Sequence, residues 1–91
     1  MIGMLGALGQ HTRFRLVTEL LASDSGRMSV NALADAVGIL QNSASAHLAI
    51  LARAGVIGAT RHGKQRLYHI DEQRLRWLIS AISSAFIRQD R

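Results

Sequence analysis

Cysteine is absent from this 91-residue chain, and so is proline. The first absence excludes disulfides, thiolate metal sites and thiol-based redox sensing within the chain. The second, together with the lack of any repeat or low-complexity tract, leaves nothing that reads as a linker. A single small domain over residues 1–91 is therefore expected. A lone domain of this size is only marginally stable, and oligomerisation is a natural way to enlarge its core. No apolar run approaches the length of a membrane span. The opening MIGMLGALG carries neither the basic leader nor the cleavage pattern of a signal peptide. A cytoplasmic location with no membrane partner is the expectation.

Acidic residues are scarce as well, six against eleven Lys and Arg, for a net charge of +5. The excess is uneven. Residues 1–55 and 71–91 each hold four basic and three acidic side chains, whereas residues 56–70 hold Arg61, Lys64 and Arg66 and no acid. A concentrated basic segment on a small domain points to a polyanionic partner, most often nucleic acid. A solvated hairpin that merely keeps the chain soluble is the alternative.

The groups that catalysis requires are dispersed. Glu19, Asp24, Asp35, Asp71, Glu72 and Asp90 are scattered, and none pairs with a histidine at a triad or metal-motif spacing. There is no Gly-x-Ser-x-Gly elbow and no phosphate-cradling glycine loop. No enzymatic role, cofactor or metal site is assigned. His11, His47, His62 and His69 lie on four different elements, and a histidine-based metal switch is kept as a second reading.

What the chain does have is helical periodicity. Phe14, Val17, Leu20 and Leu21 give one apolar face from about Gln10 to Ala22, and Ser23-Asp24-Ser25-Gly26 then turns the chain. Ser29 is a good N-cap for a helix whose Val30, Leu33, Ala34 and Val37 follow the i, i+3, i+4, i+7 rule. Gly38 sits where a left-handed residue ends that helix. A short turn leads to a segment of about 41–53, with Ala44, Leu48 and Leu51 inward. Residues of about 56–70 are strand-like on both sides of Arg61-His62-Gly63-Lys64-Gln65, which predicts a two-stranded hairpin with a basic tip. Tyr68 is expected to pack at its base. Asp71 can cap a last helix of about 72–88, with the apolar stripe Leu75, Leu78, Ile79, Ile82 and Phe86; Trp77 falls off it. The expected fold is mainly α with a small β-hairpin, a winged helix-turn-helix.

The segment 41–53 carries no charge before Arg53, and its outward face holds Asn42, Ala46, Ala49 and Arg53, flanked by Ser43 and Ile50. A helix enters the major groove only if its leading face is slim, and its N-terminal residues reach the base edges. Gln41 and Asn42 have the amide geometry that pairs with adenine, Ser43 bonds to several bases, and Ala46 can touch a thymine methyl. Asn42 can equally be the helix cap, because Leu40 is a poor one. The candidate DNA-binding residues are Gln41, Asn42, Ser43, Ser45, Ala46 and His47 on this helix, with Arg61, His62, Lys64 and Arg66 on the hairpin. The stripe of the last helix is long for so small a chain to cover, so a symmetric dimer is expected through Met4, Leu5, Leu8, Leu75, Leu78, Ile79, Ile82 and Phe86. Double-stranded DNA bearing an inverted repeat is then the expected partner. A winged-helix protein-interaction module is the third reading; its hairpin would be neutral or acidic.

These residues are familiar together. Gln10-His11-Thr12-Arg13-Phe14-Arg15-Leu16-Val17 resembles the opening of ArsR/SmtB-type bacterial repressors. Gln41 to Leu48, followed by Leu51-Ala52-Arg53-Ala54-Gly55-Val56-Ile57, is similar to their recognition helix and its exit, and Arg61-x-Gly63-Lys64 with Tyr68 to their wing. The resemblance runs from about Leu5 to Ile82. It implies a homodimeric, metal- or signal-responsive transcriptional repressor that binds an operator and releases it on sensing its effector. The chain departs from the pattern at three places. Arg27-Met28-Ser29-Val30 stands where many members carry paired cysteines, Arg74, Arg76, Ser80 and Ser83 where others place metal ligands, and Leu40 where the family has a serine.

Overall fold

A computed structural model of the chain describes residues 2–89. Met1, at the head of the apolar N-terminal segment, lies outside the described residues. The elements run α1 (Ile2–Leu8), α2 (His11–Ala22), β1 (Arg27–Ser29), α3 (Val30–Val37), α4 (Gln41–Arg53), β2 (Ile57–His62), β3 (Gln65–Ile70) and α5 (Glu72–Gln89). No helix among the described residues is long and apolar enough to cross a membrane.

The helix boundaries follow local signals. Gln10 caps α2, its Oε1 accepting from the Arg13 N–H at 2.8 Å. Ser29 caps α3 through the Ala32 N–H, and Asp71 holds the Arg74 N–H at the start of α5, each at 3.2 Å. Gly38 ends α3 at φ 79°, and its N–H and that of Ile39 both donate to the Ala34 carbonyl. Arg15 reaches across from α2 to donate to the Val37 carbonyl at 3.2 Å, satisfying another acceptor that the helix end leaves open. α4 begins at Gln41 with Leu40 in the cap position, and no side chain caps it. Asn42 therefore lies inside the first turn and is not the cap.

The sheet differs from the expected two-stranded hairpin. β3 pairs antiparallel with β2 on one edge and with β1 on the other, in the order β1-β3-β2. β1 is only three residues long, too short to display strand alternation, and it pairs Met28 with Tyr68 and Ser29 with Leu67. β2 and β3 are joined by Gly63-Lys64. Gly63 has φ 63° while Lys64 does not enter positive φ, which matches a type II′ turn.

The core gathers Leu16, Val17 and Leu20 of α2, Leu33 and Val37 of α3, Leu48 and Leu51 of α4, and Val56 and Ile57 entering the hairpin. Ala44 is also buried, while Tyr68 and Ile70 pack against the core from β3. On α2 the buried face is rotated from the expected one: Leu16 is inside, whereas Phe14 and Leu21 are exposed. The run Phe14, Leu16, Val17, Leu20, Leu21 supplies two overlapping apolar stripes, and packing against α3 and α4 selects one. The N-terminal segment is a helix whose Met4 and Ala7 join the core. Helical glycines at 3 and 6 lower helix propensity and hide it in the sequence. Among the described residues of α5 Leu78 alone is buried with this core, so most of that 18-residue helix, about 27 Å long, is exposed to solvent. The molecule measures 51 Å by 22 Å by 22 Å.

Candidate nucleic-acid interface

α3 and α4, joined by the short turn Gly38-Ile39-Leu40, form a helix-turn-helix. Ala44, Leu48 and Leu51 anchor α4 on the core, which turns its opposite side to solvent. Gln41, Asn42, Ser43, Ser45 and Ala46 are all exposed. Asn42 makes no capping bond, so its amide is free to meet a ligand. The face is narrow and uncharged until Arg53 in the last turn.

His47 is placed differently from these five. It is half-buried, and Arg13 on α2 holds its Nδ1 at 3.5 Å while donating from Nε to the Ala7 carbonyl at 2.8 Å. Arginine has no acceptor, so the ring nitrogen in this contact accepts and Nε2 carries the proton. Arg13 thereby ties α1 and α4 to one side chain. The wing repeats the device: Arg27 of β1 donates to His62 Nε2 at 3.0 Å, which leaves Nδ1–H as the free donor. Neither arginine was among the expected site residues. The Thr-Arg-Phe-Arg motif marks Arg13, but the Arg27 contact spans 35 positions in sequence and has no local signal.

Arg61, Lys64 and Arg66 are exposed on the hairpin. Arg61 and Arg66 stand directly opposite each other in the β2–β3 register. Like charges directly opposite each other destabilise a sheet, and no acid between residues 56 and 70 relieves them. A bound anion would. At the base of the hairpin the His69 ring lies over Gly58, where a Cβ would come within 2.8 Å of its Nε2, so a larger residue there would displace the ring. His11 and His69 contribute nothing to this face that the contacts reveal. Among the described residues no three His, Asp or Glu side chains are grouped to hold a metal.

Comparison with known proteins bears on this arrangement. A family profile described as a helix-turn-helix domain matches residues 8–57. The biofilm growth-associated repressor of Xylella fastidiosa is 30% identical over 88 residues, covering 97% of this chain and 75% of the relative. The crystal structure of a possible transcriptional regulator for arsenical resistance superposes with a TM-score of 0.79 at 31% identity, over 94% of this chain and 86% of that one. The chain belongs to the ArsR family of winged helix-turn-helix repressors. A further relative is the homodimeric winged helix-turn-helix DNA-binding domain of a possible ArsR-family regulator from Mycobacterium bovis. It matches with a TM-score of 0.72 at 27% identity, covering 97% of this chain and 82% of that domain.

In this ArsR-family chain the large exposed apolar residues other than Leu40, at the cap of α4, and Ile50, on α4 itself, lie away from that helix. Leu5 of α1, Phe14 and Leu21 of α2, and Ile79, Ile82 and Phe86 of α5 all face solvent. Leu75 and Ile79 line a shallow apolar depression with Leu21 and Ile70, so α2 extends the stripe that the sequence placed on α5 alone. Two of the eight residues expected at a subunit interface are already buried within the single subunit. Met4 is 6% exposed and Leu78 2% exposed, both consumed by the subunit's own core. Leu8 is half-buried against that core as well. Trp77 points off the stripe toward Met4, Ala54, Gln73 and Arg74, with which it lines a separate cleft.

Proposed function

We propose that the chain is a sequence-specific DNA-binding transcriptional repressor that works as a homodimer, with α4 as its recognition helix and the β2–β3 hairpin as its wing. The observation that carries the reading is the exposed N-terminal face of α4, formed by Gln41, Asn42, Ser43 and Ala46, beside an acid-free basic hairpin. α4 delivers base contacts from its first turns, where side chains of that size and polarity reach the edges. Ser45, His47 and His62 supply further donors. Arg61, Lys64 and Arg66 neutralise phosphates, which adds affinity with little sequence information.

The dimer reading rests on α5. An amphipathic helix with Leu78 buried and Ile79, Ile82 and Phe86 in water is incomplete as a monomer surface. Leu5, Leu8 and Leu75 complete the contact that we assign, and Leu21 extends it. Two-fold pairing would bring two copies of α4 to successive major grooves, so the operator would be an inverted repeat. A repressor acts where the chromosome is, which places this chain in the bacterial cytoplasm. The reading assigns no catalytic chemistry to any residue.

The wing provides the test that separates its role from that of α4. Replacing Arg66 with Gln removes one phosphate contact and the like-charge pair with Arg61 together. Affinity is expected to fall for every DNA sequence alike, and the slope of log affinity against log salt to shrink by about one unit. Folding stability should hold or rise slightly, because the cross-strand repulsion is gone. Binding isotherms over a salt series check this. A loss confined to one base position with the slope preserved would make the wing a base reader.

A further inference from the structure

We propose that Leu40 is a specificity-determining residue that packs against the C5 methyl of a thymine in the operator's major groove. The inference rests on the docking of α4 proposed above and adds a residue that reads DNA through apolar contact. Leu40 occupies the cap position of α4 at φ −68° and ψ 149°, a backbone conformation that suits a capping serine or asparagine equally well. Its own side chain accepts no hydrogen bond, and among the described residues the first-turn N–H groups of α4 have no side-chain partner. Leu40 is also 77% exposed, more than any other large apolar residue among those described.

Nothing in the subunit requires leucine there. The hydrophobic staple that fixes a chain's entry into a helix joins the residue before the cap to the fourth helical residue. Here those residues are Ile39, which packs against the core, and Ala44, which is buried. Leu40 thus forgoes a cap and holds an aliphatic side chain in water, two local costs at one position. That position immediately precedes Gln41, Asn42 and Ser43, where a docked helix meets base edges. Phosphate oxygens and the polar atoms of the bases offer an aliphatic group nothing. The apolar group that base edges present in the major groove is the thymine methyl.

The experiment uses the duplex recovered by selection from random-sequence DNA and a series in which each thymine in turn is replaced by deoxyuridine, removing only the methyl. The parent protein is expected to lose about fourfold in affinity at one position per half-site, the worth of one buried methyl. The Leu40→Ser variant should bind thymine and deoxyuridine equally at that position and keep the parent's response elsewhere, including any contact made by Ala46. It should also melt about 5 °C higher, because the helix gains its cap. A Leu40→Ser protein that retains every deoxyuridine penalty of the parent would overturn the proposal, and so would a parent that shows none. Failure of the α4 docking itself would appear elsewhere, as full operator binding by a Ser43→Glu protein.

Discussion

Ser43→Glu is expected to abolish operator binding while leaving the fold intact. Ser43 is the third residue of α4, counted from the cap at Leu40, and it is exposed. A glutamate there stands in the positive end of the helix dipole, at the position where a capping-box acid belongs, so the isolated protein should be at least as stable as the parent. On DNA the same carboxylate faces base edges and phosphates. Like-charge juxtaposition across an interface costs several kcal/mol, which corresponds to a loss of about a hundredfold or more. The opposite signs of the two effects make the variant informative. Thermal melting checks the first, and titration of labelled operator DNA checks the second. A folded variant that binds as tightly as the parent would remove α4 from the groove.

The second large effect concerns a residue that touches no DNA in this reading. Ile82 lies on the exposed stripe of α5 between Ile79 and Phe86, and the subunit core does not use it. Ile82→Asp should therefore be tolerated by the monomer. At the centre of a two-fold interface it would bury two unpaired carboxylates, each costing several kcal/mol. Sedimentation at micromolar concentration is expected to show a dimer for the parent and a monomer for the variant. Operator affinity should fall about 100-fold or more, because two half-site contacts no longer act as one ligand. Leu78→Asp would be a poor substitute for this test, since Leu78 is part of the subunit core and its loss would unfold the chain.

The contrast between Leu78 and Ile82 also indicates where sequence reasoning reached and where it stopped. Both belong to one stripe at helical period, and periodicity reports only that a face is apolar, not which part of it meets its own subunit. The same limit applies to α2, where Phe14 and Leu21 compete with Leu16 for the inside, and tertiary packing decides. Features set by local chemistry were legible: the Ser29 and Asp71 caps, the left-handed Gly38, the turn at Gly63, and the extent of α4 from Gln41 to Arg53. β1 was not, because three residues cannot show a period and its partner β3 lies about 40 positions away. At the site, the slim face of α4 and the basic hairpin could be read from composition. The opposed Arg61 and Arg66 required the strand register, and the Arg13–His47 and Arg27–His62 contacts required the fold.

Selection of bound duplexes from random-sequence DNA by the full chain tests most directly whether two copies of α4 read one site. An imperfect inverted repeat should be recovered, with half-site centres about 10 bp apart or a close multiple, matching the rise of one helical turn between successive major grooves. Enrichment of a lone half-site bound by a monomer, or of no sequence at all, would contradict it.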